Sequence, residues 1–314
     1  MLFDINNGDY KFRDEFDEFP DIEKHTVEYT RCTCGSTEAT VVSTVSRHRN
    51  FQPIVACEHC GTLRANPYFT EETAAHYYRN VYGNVKRTDR SPQQLFREQR
   101  ALSLVPFFSD VMDRFETVLD YGGGAGGKTA DFIDAGKVLS LYEVENKYSQ
   151  FAFENGIQPH DPAKRYDLVV VSHVIEHMID PVRQMRQIID ECCTPGGLLL
   201  VATPIIDRQR ARQWLQHFHI AHKYYFNEDA LIGLMAGLGC ALVKQNNADA
   251  FLFEVGGEAD KDVVERHYRA GSEKTRAAIA REERLSFRKL LNCLRRRKPQ
   301  PHNQAAPRTP ELSP

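Results

Sequence analysis

The sequence predicts an α/β fold: a doubly wound, largely parallel sheet finished by a C-terminal antiparallel hairpin, with a small β-ribbon in front of it. Three observations predict this. An apolar run, Val118-Leu-Asp-Tyr121, meets a stretch in which five of six residues are glycine, Gly122 to Gly127. Strand-length apolar runs then alternate with helix-length segments as far as Ala202, as parallel strands joined by crossover helices require. Ahead of both, Cys32-Thr-Cys34-Gly and Cys57-Glu-His-Cys60-Gly are separated by 22 residues with short β-branched runs.

Composition bounds the rest. A chain of 314 residues holds one large domain and a smaller module. Its 40 basic and 43 acidic residues nearly cancel, so the whole chain has no strong pull on nucleic acid or membrane. No apolar run is long enough to span a bilayer. Met1-Leu-Phe-Asp-Ile-Asn lacks the basic and apolar regions of a secretion signal. Eight cysteines in that setting read as reduced thiols or metal ligands, and the expected compartment is cytoplasmic.

Residues 1–30 form an acidic arm with interspersed Phe. Residues 31–65 read as a zinc ribbon. Each cysteine pair is followed by glycine, as the tight turns that present two thiolates to one tetrahedral ion require. Ala39 to Val45 and Phe51 to Ala56 supply the strands. Cys32, Cys34, Cys57 and Cys60 would close a structural Zn²⁺ site. The first pair, C-x-C, is one residue shorter than the usual knuckle, and His48 or His59 could replace a cysteine. Residues 66–116 read as a helical lid or linker, with Thr70 as an N-cap and a second helix over Gln93 to Phe108.

Residues 117–256 carry the main domain. The strand stops at a glycine turn, and Lys128 to Ala135 has helical spacing up to Gly136, so the order is strand, turn, helix. A ligand would lie over the strand ends, against the helix N-terminus. Gly122, Gly124 and Gly127 satisfy G-x-G-x-x-G, a dinucleotide pattern, whereas Asp120, Gly122, Gly124 and Gly126 satisfy D-x-G-x-G-x-G. The second pattern puts a carboxylate at the mouth of the turn, where a pyrophosphate is repelled and an ammonium is favoured.

Lys137 to Tyr142 is the next strand, ending in Glu143, which lies 21 residues beyond Gly122, near the spacing at which an acid accepts both ribose hydroxyls. Glu145 is its competitor. A helix from Asn146 to Asn155 ends at Gly156, and a short strand follows near Ile157, with Asp161 in reach of an adenine amino group or simply solvated. Tyr166 to Ser172 is a buried strand that delivers His173-Val-Ile-Glu176-His177 to the ligand edge. Asp180-Pro181 caps the helix Val182 to Cys192, and Pro195-Gly-Gly197 separates it from the strand Leu198 to Ala202.

The order strand, Glu-His, Asp-Pro, helix, Pro-Gly-Gly, strand decides between the two glycine readings. With D-x-G-x-G-x-G it resembles class I S-adenosylmethionine (SAM) dependent methyltransferases of the ubiquinone-biosynthesis O-methyltransferase type, over roughly Thr117 to Val255. The ribbon is similar to the cysteine-bearing module on many bacterial methyltransferases acting on sugars and glycans. The resemblance implies a Rossmann-like fold, SAM as cofactor, and Asp120, Gly122, Gly124, Gly126, Glu143 and His173 around it. In the quinol enzymes a carboxylate three residues before the motif Glu helps to hold magnesium; here that position is His173, and no magnesium site is carried over.

Residues 203–226 interrupt the α/β rhythm with Trp214, His217, His219, His222, Tyr224 and Tyr225. Insertions between late strands build substrate pockets, although such rings also pack an insertion onto its domain. Glu228 to Leu238 is the last helix of the domain, and Ala241 to Gln245 with Phe251 to Val255 form the hairpin. Residues 257–298 read as a charged helical extension interrupted at Gly271, and 299–314 as a disordered tail. Methyl transfer to a hydroxyl needs a base, and His177 and His222 are the candidates. The leading expectation is a methyltransferase acting on a small molecule or a sugar or glycan precursor. Alternatives are an RNA methyltransferase gripping its substrate with ribbon and basic tail, or a non-catalytic SAM-fold protein assembling through the ribbon. The acceptor atom and the oligomeric state are not written in the sequence.

Overall fold

The computed structural model describes residues 27–47, 51–77 and 91–296. His48, the acidic arm before residue 27 and the tail beyond 296 lie outside the described residues.

In chain order the elements begin with β1 (Val27–Glu28), β2 (Ala39–Val45), β3 (Phe51–Cys57), β4 (Leu63–Ala65), β5 (Tyr68–Phe69), α1 (Glu71–Tyr77) and α2 (Pro92–Arg100). The main domain follows as β6 (Thr117–Tyr121), α3 (Asp131–Asp134), β7 (Val138–Tyr142), α4 (Asn146–Glu154), β8 (Gln158–Pro159), β9 (Tyr166–Ser172), α5 (Pro181–Cys192) and β10 (Cys193–Ala202). The chain closes with β11 (Tyr224–Tyr225), α6 (Glu228–Gly237), β12 (Ala241–Gln245), β13 (Ala250–Glu254) and α7 (Lys261–Arg296).

Among the described residues the central sheet has seven strands in the order β12-β13-β10-β9-β6-β7-β8. The strands from β10 to β8 are parallel, and β13 and β12 run antiparallel at one edge. This is the predicted α/β, Rossmann-like doubly wound sheet with its C-terminal hairpin. Its alternation is read directly from the chain. In β9, Val169 and Val171 pack toward α5 and α6, while Leu168 and Val170 pack toward Phe108, Phe115 and Phe132 on the other face. In β13, Phe251 and Phe253 take the first face and Leu252 the second. Both faces are covered, so the strands are apolar throughout. Strand order reverses between β6 and β9, which opens a crevice at their C-terminal ends.

The ribbon strands β2, β3 and β4 form a four-stranded sheet whose fourth strand is β11, contributed by the insertion. Ile54, Leu63 and Ala65 share a core with Trp214, Phe218 and Tyr225. Trp214 is fully covered and its Nε1 donates to the Ile206 carbonyl at 2.8 Å, so this ring packs the insertion rather than a pocket.

Three expected elements differ. The helix read over Lys128 to Ala135 is reduced to the single turn α3, because Thr129 turns its hydroxyl to Asp120 (2.6 Å) and the Gly126 carbonyl (3.2 Å) in place of regular helix pairing. The helix over Gln93 to Phe108 stops at Arg100, and Val105–Phe108 is a 3₁₀ turn, since Pro106 disfavours an α conformation for the residue before it. Gly271 does not interrupt the extension: α7 runs through it. A Cβ there would meet the Cys60 carbonyl oxygen and Asn227 Oδ1, both at 2.6 Å, so glycine is present for close packing.

Candidate functional site

The glycine turn follows β6 with Gly122, Gly124 and Gly126 at φ of 75°, 63° and 78°, a region that residues with a Cβ rarely enter. Gly122 N–H donates to the Tyr142 carbonyl at 2.7 Å and Gly124 N–H to Glu143 Oε2 at 2.8 Å. The other Glu143 oxygen accepts from Glu145 N–H at 2.9 Å. Glu143 therefore stands at the end of β7 with its carboxylate at the rim of the turn, while Glu145 pairs with Lys147 at 3.0 Å. Asp120 lies beneath the turn, not at its mouth. It is 2% exposed, and a Cβ on Gly123 would fall 2.2 Å from its Oδ2. Burial pushes the Asp120 pKa up to about 6, against the pull of the Thr129 hydroxyl and Lys128.

Sequence reading missed Gln99. From α2 its Nε2 donates to the Gly123 carbonyl at 3.0 Å and its Oε1 accepts from Gly127 N–H at 3.1 Å, clasping the turn from outside. The only signal was the polar side of an amphipathic helix, which does not say what it covers.

Beyond β9 the chain turns at His173, the one non-glycine residue with positive φ (57°) among the described residues. Its Nδ1 lies 3.3 Å from Glu176 Oε1 and its Nε2 3.3 Å from Asp249 Oδ2. Burial opposes its protonation, but these two carboxylates win and raise its pKa to about 9. Asp249 was also missed, since it sits in the β12–β13 turn and only the sheet order brings it here. Val174 next packs on Gly122, where a Cβ would come 2.7 Å from its Cγ2. This contact joins the loop after β9 to the glycine turn.

A short 3₁₀ turn, Ile175–His177, then carries Glu176 and His177. Glu176 is 2% exposed and accepts from the Thr203 hydroxyl at 3.0 Å. Burial raises its pKa, but hydrogen bonding from His173 and the charges of His177 and His173 hold it below the usual carboxylate value. His177 Nδ1 donates to the Ala221 carbonyl at 3.0 Å, which makes Nε2 the basic nitrogen of the neutral ring. His222, from the insertion, meets it edge to face with ring centroids 4.5 Å apart. Burial, reinforced by the charge of His177, drives the His222 pKa well below that of a free histidine. The structure thus brings together the two histidines selected as candidate bases, 45 residues apart in sequence. Ligand atoms of Glu176, His177 and His222 fall within 4.8 Å of one another, a spacing compatible with holding a cation.

The four cysteines form a second cluster. Cys32 and Cys60 sulfurs are 3.5 Å apart, as are those of Cys34 and Cys57, and all four lie within 4.8 Å. Sulfurs on one tetrahedral zinc stand about 3.8 Å apart given Zn–S bonds of roughly 2.3 Å, so the set fits that ion and is too open for disulfides. Mutual hydrogen bonding lowers the Cys57 thiol pKa and raises that of Cys34, the frustration of four thiols that need a shared cation. His59 turns away, paired with Glu265 at 3.3 Å and set edge-on to Tyr268.

Residues 94–245, just under half of the chain, match the family model described as a methyltransferase domain. No curated protein matches the chain by sequence. Among solved structures, the chain is similar to human N-acetylserotonin methyltransferase in complex with SAM, at 21% identity and TM-score 0.40, covering 59% of this chain and 61% of that one. It is similar to the PH0226 protein from Pyrococcus horikoshii OT3 at 16% identity and TM-score 0.42, covering 55% and 98%. It is also similar to a chain in the complex between the Haloferax volcanii Trm112 methyltransferase activator and the putative methyltransferase, at 12% identity and TM-score 0.42, covering 55% and 96%. The family match falls on the glycine turn and on the loop after β9, and the chain therefore carries a methyltransferase domain of the SAM-dependent class.

Proposed function

We propose that the chain methylates a hydroxyl of a small molecule or of a sugar or glycan precursor, with His177 and His222 handling the proton. The observation that carries this reading is the 4.5 Å contact between the two imidazoles, beside the loop that packs on the glycine turn. SAM, when bound, supplies a methyl group on a sulfonium. The turn of Gly122, Gly124 and Gly126 presents backbone to it, Glu143 accepts from its ribose hydroxyls, and Asp120 and His173 shape its amino-acid end. His222 stays neutral at physiological pH because it is buried beside a second imidazole, and a neutral ring is the form that takes a proton from the acceptor as the new bond forms. His177, with its tautomer set by the Ala221 carbonyl, relays or shares that proton. The balanced net charge of −3 favours a small acceptor over a polyanion.

In this reading residues 31–65 are a structural zinc module holding Zn²⁺ through Cys32, Cys34, Cys57 and Cys60. Residues 66–116 link it to the catalytic domain, 117–256, and 257–298 brace both. Unbridged thiols suit a cytoplasmic setting. Calorimetry with SAM and its demethylated product tests the first step, with micromolar binding expected. Alanine at His177 or His222 should lower kcat by about 10²- to 10⁴-fold while leaving SAM affinity nearly unchanged. Unchanged turnover in both variants would remove the proton-handling role, and failure to bind SAM would remove the reading as a whole.

A further inference from the structure

Away from the glycine turn, a cleft of about 630 Å³ opens between the first cysteine hairpin and the start of α5. Thr30 and Arg31 line one side, Asp180 and Arg183 another, and Lys223 and Tyr224 the floor. Two cations here are buried without a carboxylate. Lys223 is 1% exposed, and its ammonium donates to the Ile179 carbonyl at 2.7 Å and lies over the Tyr68 and Tyr224 rings. Arg64, directly across the β4–β11 pairing from Tyr224, is 0% exposed. One of its nitrogens reaches the Thr30 carbonyl at 3.4 Å; its Nε and Nη1 have no hydrogen-bond partner among the described residues, and neither does the buried Thr30 hydroxyl.

A buried guanidinium with two open nitrogens is costly, and the cost is offset when an anion completes it. The acidic side chains at the cleft are largely committed elsewhere. Glu71 pairs with Arg183, and Asp180 caps α5 by accepting from Arg183 N–H. Glu28 stands exposed at the rim. Burial lowers the Lys223 pKa to about 8, so its ammonium persists at neutral pH but is poorly compensated.

We propose that this cleft binds an oxyanion, phosphoryl or carboxylate, held by Arg64 and Lys223 with the Thr30 hydroxyl, and that this group belongs to the methyl acceptor. The acceptor assignment rests on the function proposed above; anion binding does not. The volume exceeds that of one oxyanion, so an organic remainder has room. Lys223 follows His222 directly, its N–H donates to the Glu176 carbonyl at 2.9 Å, and Ile179 lies two residues after His177. The same two loops therefore carry both the histidine pair and the cleft, and an acceptor anchored by its anionic end would extend toward the imidazoles.

The test is calorimetry on the full chain with inorganic pyrophosphate and, separately, malonate, on wild type, Arg64→Met and Lys223→Met. The expected result is saturable binding of at least one probe, weakened at least tenfold in each variant. Preference for pyrophosphate assigns a phosphoryl group, and preference for malonate assigns a carboxylate. Thermal melts without anion distinguish a ligand role from a structural one. Arg64→Met should melt no lower than wild type, because an apolar side chain of similar length replaces an uncompensated charge, and its melting temperature should no longer rise with the anion. If Arg64→Met does not fold, Lys223→Met carries the same comparison. No saturable binding of either probe, or equal affinity in wild type and the folded variants, overturns the proposal. A SAM titration of the same wild-type preparation separates the two ideas: SAM binding without anion binding sinks the cleft alone, and the reverse sinks only the methyltransferase assignment.

Discussion

Asp120 shows the tension between stability and site most plainly. Its pKa is raised to about 6 by burial, so the folded state holds its proton more tightly than the unfolded chain does. Stability then falls as pH rises from about 4 to 6, and above that the cost is complete, roughly 3 kcal/mol for a shift of about two units. Asp120→Asn should therefore raise the melting temperature at pH 8, with the gain vanishing near pH 4, while SAM affinity measured by calorimetry drops at least tenfold. A variant that melts lower at pH 8 would show that the carboxylate is stabilising where it sits. His173 works in the opposite direction. Its pKa is raised to about 9, so its contribution is full below about 6.5 and is lost as pH climbs through 9. His173→Gln should flatten that alkaline loss in thermal melts scanned over pH. Asp120, Glu143, His177 and His222 were legible in the sequence because motif spacing and strand ends mark them. Gln99, Thr129 and Asp249 were not, because each reaches the site from an element whose own pattern carries no chemical signal.

At the level of elements, the decisive contact is between α7 and the second cysteine hairpin. Gly61 and Gly271 approach so closely that a Cβ on Gly61 would lie 2.3 Å from the Gly271 carbonyl oxygen. Around them Ser272 donates to the Glu58 carbonyl, Thr275 to the Gly61 carbonyl, and Asn227 to the Cys60 carbonyl. Alanine normally improves a helix interior by about 1 kcal/mol over glycine. A branched side chain at this position instead forces helix and hairpin apart. Gly271→Val should lower the urea unfolding free energy by about 1–3 kcal/mol, with an unchanged or increased value overturning the packing account. A glycine in a charged helical stretch reads as an interruption when seen alone. Its actual role depends on a partner more than 200 residues away.

Over the whole molecule, ribbon and catalytic domain share structure. The insertion lends β11 to the ribbon sheet, the cysteine cluster packs on Ala230 of α6 and Tyr268 of α7, and one core contains Ile54 and Trp214. Removing metal should therefore propagate. A strong chelator is expected to lower the melting temperature and to expose α7 to limited proteolysis, with zinc restoring both; a chelated protein that melts and resists protease as before would argue against a metal-held ribbon. The sequence by itself determined the elements whose signal is local: the period-2 burial of β6, β9 and β10, the capped α5, the glycine turn and the two cysteine hairpins. Tertiary structure alone decided that the histidines at 177 and 222 meet, that Gln99 clasps the turn, and that Arg64 and Lys223 are buried beside one cleft. The physical reason is that backbone propensity and hydrophobic period act within a few residues, whereas such meetings are set by sheet order and core packing, which no short window contains.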